Sequence, residues 1–83
     1  MHEKERAFKT WLVDRVAQLA EVNSSKIDIH EPFAVYGFDS VQAVGMIAEI
    51  EDQFLIRVSP TVVWDYPTIS TLAKYLATQE PIK

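Results

Sequence analysis

The chain has 83 residues, 12 of them acidic and 8 basic, for a formal net charge of −4. That length supports one small domain with a modest core, and the acid excess argues against nucleic acid, whose phosphates need a basic patch. With no cysteine, disulfides and thiolate metal sites are excluded, so stability must come from efficient helix packing.

The opening "MHEKERAFK" is charged and does not read as a signal peptide. No apolar run is long enough to span a bilayer. No membrane partner is expected, and the default location is the cytoplasm. A first helix is expected from about Lys4 to Glu21, with Phe8, Leu12, Val16 and Leu19 on one face and Trp11 and Ala20 beside it. Glu3 and Glu5 suit the positive end of its dipole. A long connection follows, Val22 to Asp39, punctuated by Asn, Ser, Pro and Gly. Long loops in compact domains are usually functional or pinned by their own side chains. Ile27, Ile29, Phe33 and Phe38 are the expected pins.

A second helix is expected from Ser40 to about Phe54. Ala43, Met46, Ile47, Ile50 and Phe54 line one side, and Val41, Gly45, Ala48 and Asp52 lie roughly opposite. "SPTVVWDYP" reads as a one-turn helix with Ser59 as cap and Pro60 at its first position. Pro67 ends it. Thr68 caps a last helix carrying Ile69, Leu72, Ala73 and Leu76 on one face. "FLIRVSP" is the one strand-like stretch, and it is short. The expected fold is all-α: a small four-helix bundle of three main helices and one short one, with a long first loop. The domain spans 1–83, with a core of about 4–78 and a tail or linker at 79–83.

The stretch "YGFDSVQAV" (36–44) places a serine where an amphipathic run begins. Three readings compete for Ser40. As a helix cap, its oxygen accepts from an amide one turn in. As a nucleophile it needs a base, and the two histidines, His2 and His30, fit a solvated role better. A nucleophile elbow, with glycines two residues to either side, is absent. As an attachment point, Ser40 lies at a helix N-terminus, where a phosphate is electrostatically favoured. Another enzyme would then do the activating, which accounts for the missing base. Gly37 gives the backbone freedom for a tight approach, and Asp39 puts a carboxylate beside the acceptor. Spacing alone does not separate cap from attachment point.

"GFDSVQAV" resembles the Gly-x-Asp-Ser-Leu signature of acyl carrier proteins, in which the serine bears 4′-phosphopantetheine. "PFAVYGFDS", the helix end "IEDQF" and "SPTVVWDYPTISTLAKYLA" follow in the order and spacing of carrier domains from modular polyketide synthases, over roughly Ile27 to Ala77. Within that family, "WL", "PFxxYGxDS" and "SPTxxWDYPTI" resemble carriers loaded by fatty-acyl adenylating ligases in lipid-primed polyketide or lipopeptide pathways. Peptidyl carriers more often show Gly-Gly-x-Ser, whereas Phe38-Asp39 stands here. Gln42 occupies a position where fatty-acid carriers show an acid, Gly45 replaces a common glutamate, and Val41 replaces the signature leucine. Docking by charge alone fits these departures poorly.

The resemblance implies a non-catalytic carrier. Covalent 4′-phosphopantetheine would sit on Ser40, placed there by a phosphopantetheinyl transferase from coenzyme A with Mg²⁺. The other partners would be an acyl-adenylating ligase or acyltransferase and a ketosynthase or other synthase domain. The expected docking surface is Val41, Gln42, Val44, Gly45 and Ala48, with Val62, Val63 and Trp64 forming a second wall beside the arm. Tyr66 and Tyr75 are expected to pack with wet hydroxyls. A monomer is expected. A peptidyl carrier and a non-covalent helical interaction module, in which Ser40 is only a cap, are the alternatives.

Overall fold

A computed structural model describes residues 3–79. His2 and residues 80–83 of the expected tail lie outside them. Four α-helices follow in order: α1 (Glu3–Ala20), α2 (Ser40–Phe54), α3 (Val62–Asp65) and α4 (Ile69–Leu76). The long loop also contains two 3₁₀ turns, Ser24–Lys26 and Phe33–Tyr36. These were not foreseen, because such short turns carry no apolar period.

The periodic faces close on one another. Phe8, Leu12 and Val16 of α1, Ala43, Met46, Ile47 and Ile50 of α2, and Ile69, Leu72, Ala73 and Leu76 of α4 form one buried cluster. Each large aliphatic side chain fully buried this way stabilises the fold by roughly 1.5–3 kcal/mol. Phe54 and Trp11 close the lower edge. The Phe54 ring lies 4.3 Å from Phe8 and 6.1 Å from Trp11, centroid to centroid. Tyr66 and Tyr75 stack at 4.5 Å against the same cluster.

Two expectations are corrected here, and one connector proves to be part of the core. Leu19 sits on the expected face of α1 but stays 36% exposed, while Ala17 is buried. The shallow groove that Leu19 lines is shared with Gly45, which has no side chain to cover it. Ser59 and Pro60 precede α3 and do not begin it. The cap position is Thr61, without a side-chain cap bond, and Ser59 Oγ accepts from the Thr61 amide at 3.3 Å. The "FLIRVSP" stretch is irregular, yet Ile56 and Val58 are buried core residues. The Glu51 carboxylate accepts the Val58 N–H at 2.8 Å and holds that connector against α2.

The first loop is pinned as expected. Phe33 is buried, and Ile27, Ile29 and Phe38 pack partly buried against the core. Backbone bonds then tie the loop to the start of α4: Phe33 N–H donates to Pro67 O at 2.8 Å, and Ser70 N–H to Ile29 O at 2.9 Å. The Tyr36 hydroxyl accepts the Asp28 N–H at 2.7 Å, linking the two turns. This stitching fixes the segment that leads into Ser40.

Candidate functional site

Three local devices set the geometry around Ser40. Gly37 ends the second 3₁₀ turn at φ 81°, a left-handed conformation that suits glycine. Asp39 is extended and caps α2: its Oδ1 accepts the Gln42 N–H at 2.8 Å, and Gln42 Oε1 accepts the Asp39 N–H at 3.3 Å. The Asp39 carbonyl takes the Ala43 N–H at 3.0 Å. Asp39, and not Ser40, is therefore the cap, which corrects the capping reading of the serine.

Ser40 is the first residue of α2 and is exposed. Among the described residues its hydroxyl makes no hydrogen bond, and no histidine or acid is paired with it. Of the first four amides of α2, those of Gln42 and Ala43 are bound by Asp39, leaving those of Ser40 and Val41 without a partner among the described residues. Two open amides at the positive end of a helix suit a phosphate. A hydroxyl without a base, beside such a pair, is equipped to receive a phosphate and not to attack unaided. Among the described residues no group of acids and histidines is arranged to hold a metal.

The expected docking residues divide. Val41, Val44, Gly45 and Ala48 are exposed on the outward side of α2, and Gln42 is half-buried. Val41 is 77% and Val44 50% exposed, large values for apolar side chains. A Cβ at Gly45 would meet nothing within 4 Å, so that part of the face is flat and open. Trp64 is 60% exposed on the neighbouring α3. Val62 and Val63 are buried, at 4% and 2%, and do not form an exposed wall, because the single turn of α3 points them into the core. Val63 instead forms the inner side of a slot with Phe33, Phe38, Ala43 and Trp64, and Asp39 stands at its edge. Sequence reasoning treated Phe33 and Phe38 as loop pins only. Their proximity to a glycine-led turn was the one available signal for the slot.

The acids of α2 are largely engaged within the chain. Glu49 pairs with Arg15 of α1 at 3.0 Å, and Glu51 holds the Val58 amide. Arg15 also lies over the Trp11 ring at 5.5 Å.

A family model described as "Phosphopantetheine attachment site" matches residues 10–76. The chain belongs to this family of phosphopantetheine-bearing carrier domains. Polyketide synthase PksN of Bacillus subtilis is 35% identical over 69 residues, which are 83% of this chain and 1% of that protein. The chain thus spans a very small part of the curated relatives it matches. Among solved structures, a free-standing peptidyl carrier protein from Acinetobacter baumannii superposes with a TM-score of 0.83 at 33% identity, covering 90% of this chain and 94% of that one. The acyl carrier protein Asl1650 from Anabaena gives a TM-score of 0.83 at 31% identity, covering 90% and 85%. The all-α carrier fold expected from the sequence is the fold observed, and the cofactor of this family is covalent phosphopantetheine.

Proposed function

We propose that Ser40 is the residue that receives 4′-phosphopantetheine, and that this chain carries acyl intermediates in polyketide assembly. The observation that carries the assignment is the division of labour at the start of α2. Asp39 caps the helix, so the Ser40 hydroxyl is exposed and uncommitted beside two unengaged amides. The chain supplies position and field, and a separate transferase supplies the base, Mg²⁺ and coenzyme A. The attached arm supplies a thiol that holds an acyl group as a thioester. The amides of Ser40 and Val41 then face the diester charge, and Gly37 keeps the approach short. On this reading the chain catalyses nothing itself and works where coenzyme A is available, in the cytoplasm.

Val41, Val44, Gly45 and Ala48, flanked by Gln42 and by Trp64, form the face that we assign to partner docking. Tethering raises the effective concentration at each partner's active site, so docking can be weak and brief. The partners in this scheme are the transferase, an acyl-adenylating ligase or acyltransferase, and a ketosynthase or similar synthase domain. The polyketide assignment is supported by the names of the curated relatives. A peptidyl cargo is the second reading, favoured by the 33% identity to the Acinetobacter peptidyl carrier.

The test is an intact mass after incubation with coenzyme A, Mg²⁺ and a broad-specificity phosphopantetheinyl transferase. Gain of one phosphopantetheinyl group, absent from Ser40→Ala, is the expected result. A folded chain that gains nothing across several transferases overturns the assignment of Ser40. Offering fatty-acyl and aminoacyl loading enzymes to the loaded protein separates the two cargoes.

A further inference from the structure

Where the outward side of α2 meets α1, Gln42, Gly45, Met46 and Glu49 form a shallow groove with Arg15 and Leu19. Glu49 is the one acid in that groove, and Arg15 Nη2 lies 3.0 Å from its carboxylate. We infer that Arg15 is a specificity-determining residue. It cancels Glu49 at the edge of the docking face, so that the chain favours a transferase with an apolar carrier-binding surface over one with a basic surface. The inference rests on the assignments of Ser40 as attachment residue and of the outward side of α2 as docking face.

Three positions on one side of α2 decide the charge of this edge, because residues three and four apart are neighbours on a helix. Gln42 and Gly45 carry no charge, and Glu49 carries a negative one. The Glu49 side chain is 47% exposed and open to an approaching cation. Alone, it would give a basic surface something to hold. With the Arg15 guanidinium against it, the charge becomes a short dipole, whose field falls off faster with distance. A basic partner then meets attraction and repulsion together.

Arg15 is held there by more than the acid. Its Nη1 donates to Gln18 Oε1 at 3.0 Å, and its guanidinium lies 5.5 Å from the centroid of the Trp11 ring. A lone exposed ion pair is worth little, because two long side chains must be kept still. Gln18 and Trp11 already orient the planar fork, so a partner's cation must compete with a guanidinium in place. Farther along α2, Glu51 holds the Val58 amide, and Asp52 shares a groove with Arg57. At the helix start, Asp39 is bound to the Gln42 amide. The rest of the face is Val41, Val44 and Ala48, with Leu19 beside Gly45, a surface matched to an apolar partner.

The test measures loading kinetics on the full chain with two transferases, one with a strongly basic carrier-binding surface and one with a largely apolar surface, each at low and high salt. With the basic enzyme at low salt, Arg15→Gln should lower the KM about two- to fivefold, the size of one exposed ion pair gained. The gain should vanish at high salt, and kcat should hold. Glu49→Gln should raise the same KM, and the double variant should return it to the wild-type value. Arg15→Lys keeps the positive charge and should behave as wild type. With the apolar enzyme, all four variants should match wild type. Arg6→Gln removes a positive charge from the other end of α1, in the groove beside Trp11 and Phe54, and should leave the KM unchanged. Circular dichroism checks that each variant is folded. If Arg15→Gln loads with the wild-type KM on the basic enzyme, Arg15 only ties α1 to α2 and the inference fails. An equal fall in KM for Arg6→Gln overturns it in favour of overall net charge. A folded chain that neither enzyme loads overturns the Ser40 assignment, and the inference with it.

Discussion

Two helices of this molecule begin with the same device and put it to different use. At α4, Thr68 is extended and its Oγ1 accepts the Thr71 N–H at 3.1 Å, while Thr71 Oγ1 accepts the Thr68 N–H at 3.3 Å. The two hydroxyls also bond each other at 2.8 Å. At α2, Asp39 and Gln42 make the equivalent reciprocal pair. A hydroxyl residue stands near both starts, but at α4 it is the cap, and at α2 it follows the cap. Thr68 has its oxygen committed to the backbone; Ser40 has not. A serine ahead of an apolar run is therefore not informative by itself. Which residue accepts the amide one turn in decides whether the hydroxyl is structural or available.

The sharpest way to break this comparison is to remove both hydroxyls and measure stability and loading on each variant. Ser40→Ala is expected to abolish phosphopantetheinylation by intact mass. Its unfolding free energy should stay within about 0.5 kcal/mol of wild type, as for an exposed residue outside any bonded network. Thr68→Ala should do the reverse: about 1 kcal/mol lost by denaturant titration, with the loading rate per folded molecule unchanged. If Ser40→Ala costs as much stability as Thr68→Ala, the serine shares in the capping and the contrast fails.

A second change probes the turn that delivers Ser40. Gly37→Ala should cost roughly 1–2 kcal/mol, because a Cβ is disfavoured in the left-handed region. The cost is that of the Cβ against its own backbone and not against a packed neighbour, since beyond the adjoining residues a Cβ there would meet nothing within 4 Å. Gly37→Asn should recover part of it, as asparagine tolerates that region better. Equal losses for alanine and asparagine would point to a cause other than φ.

Asp39 comes next. Asp39→Ala should lower stability by about 1 kcal/mol, whereas Asp39→Asn should retain the cap, because the two residues rank alike there. The pair separates capping from charge. If the asparagine variant is stable but loads slowly, the carboxylate serves the transferase as well as the helix.

How much of this was legible beforehand follows from what periodicity reports. The helices and most of the core were readable, since Phe8, Leu12 and Val16, or Ile69, Leu72 and Leu76, repeat at helical spacing. The loop pins were readable because few other roles exist for four large apolar residues in a small domain. What periodicity cannot report was missed. Ile56 and Val58 are buried from an irregular connector held by one Glu51 carboxylate. Leu55 takes the left-handed cap of α2 at φ 54°, a position usually filled by glycine or asparagine. Val62 and Val63 lie on a helix too short to show which side faces in. At the site, Ser40 stood out through resemblance as the attachment residue we propose, but its freedom from the cap was a matter of one residue of register. The slot was not legible, because it draws on the loop, α2 and α3 together.

Gly45 gives the smallest effect and the most specific question about the docking face. It lies in the middle of α2, where glycine is weaker than alanine by roughly 0.5–1 kcal/mol. A Cβ at that position meets nothing within 4 Å, so Gly45→Ala should stabilise the chain by about that amount in a denaturant titration. The groove it borders contains Leu19 and the Arg15–Glu49 pair. If the open face is there for close approach of a partner, the same substitution should raise the KM for loading while kcat holds. If the glycine is tolerated drift, stability should rise and both constants should stay as they were. A stabilised variant with a selectively raised KM would make Gly45 part of the docking face, with a glycine kept there at a cost to the helix.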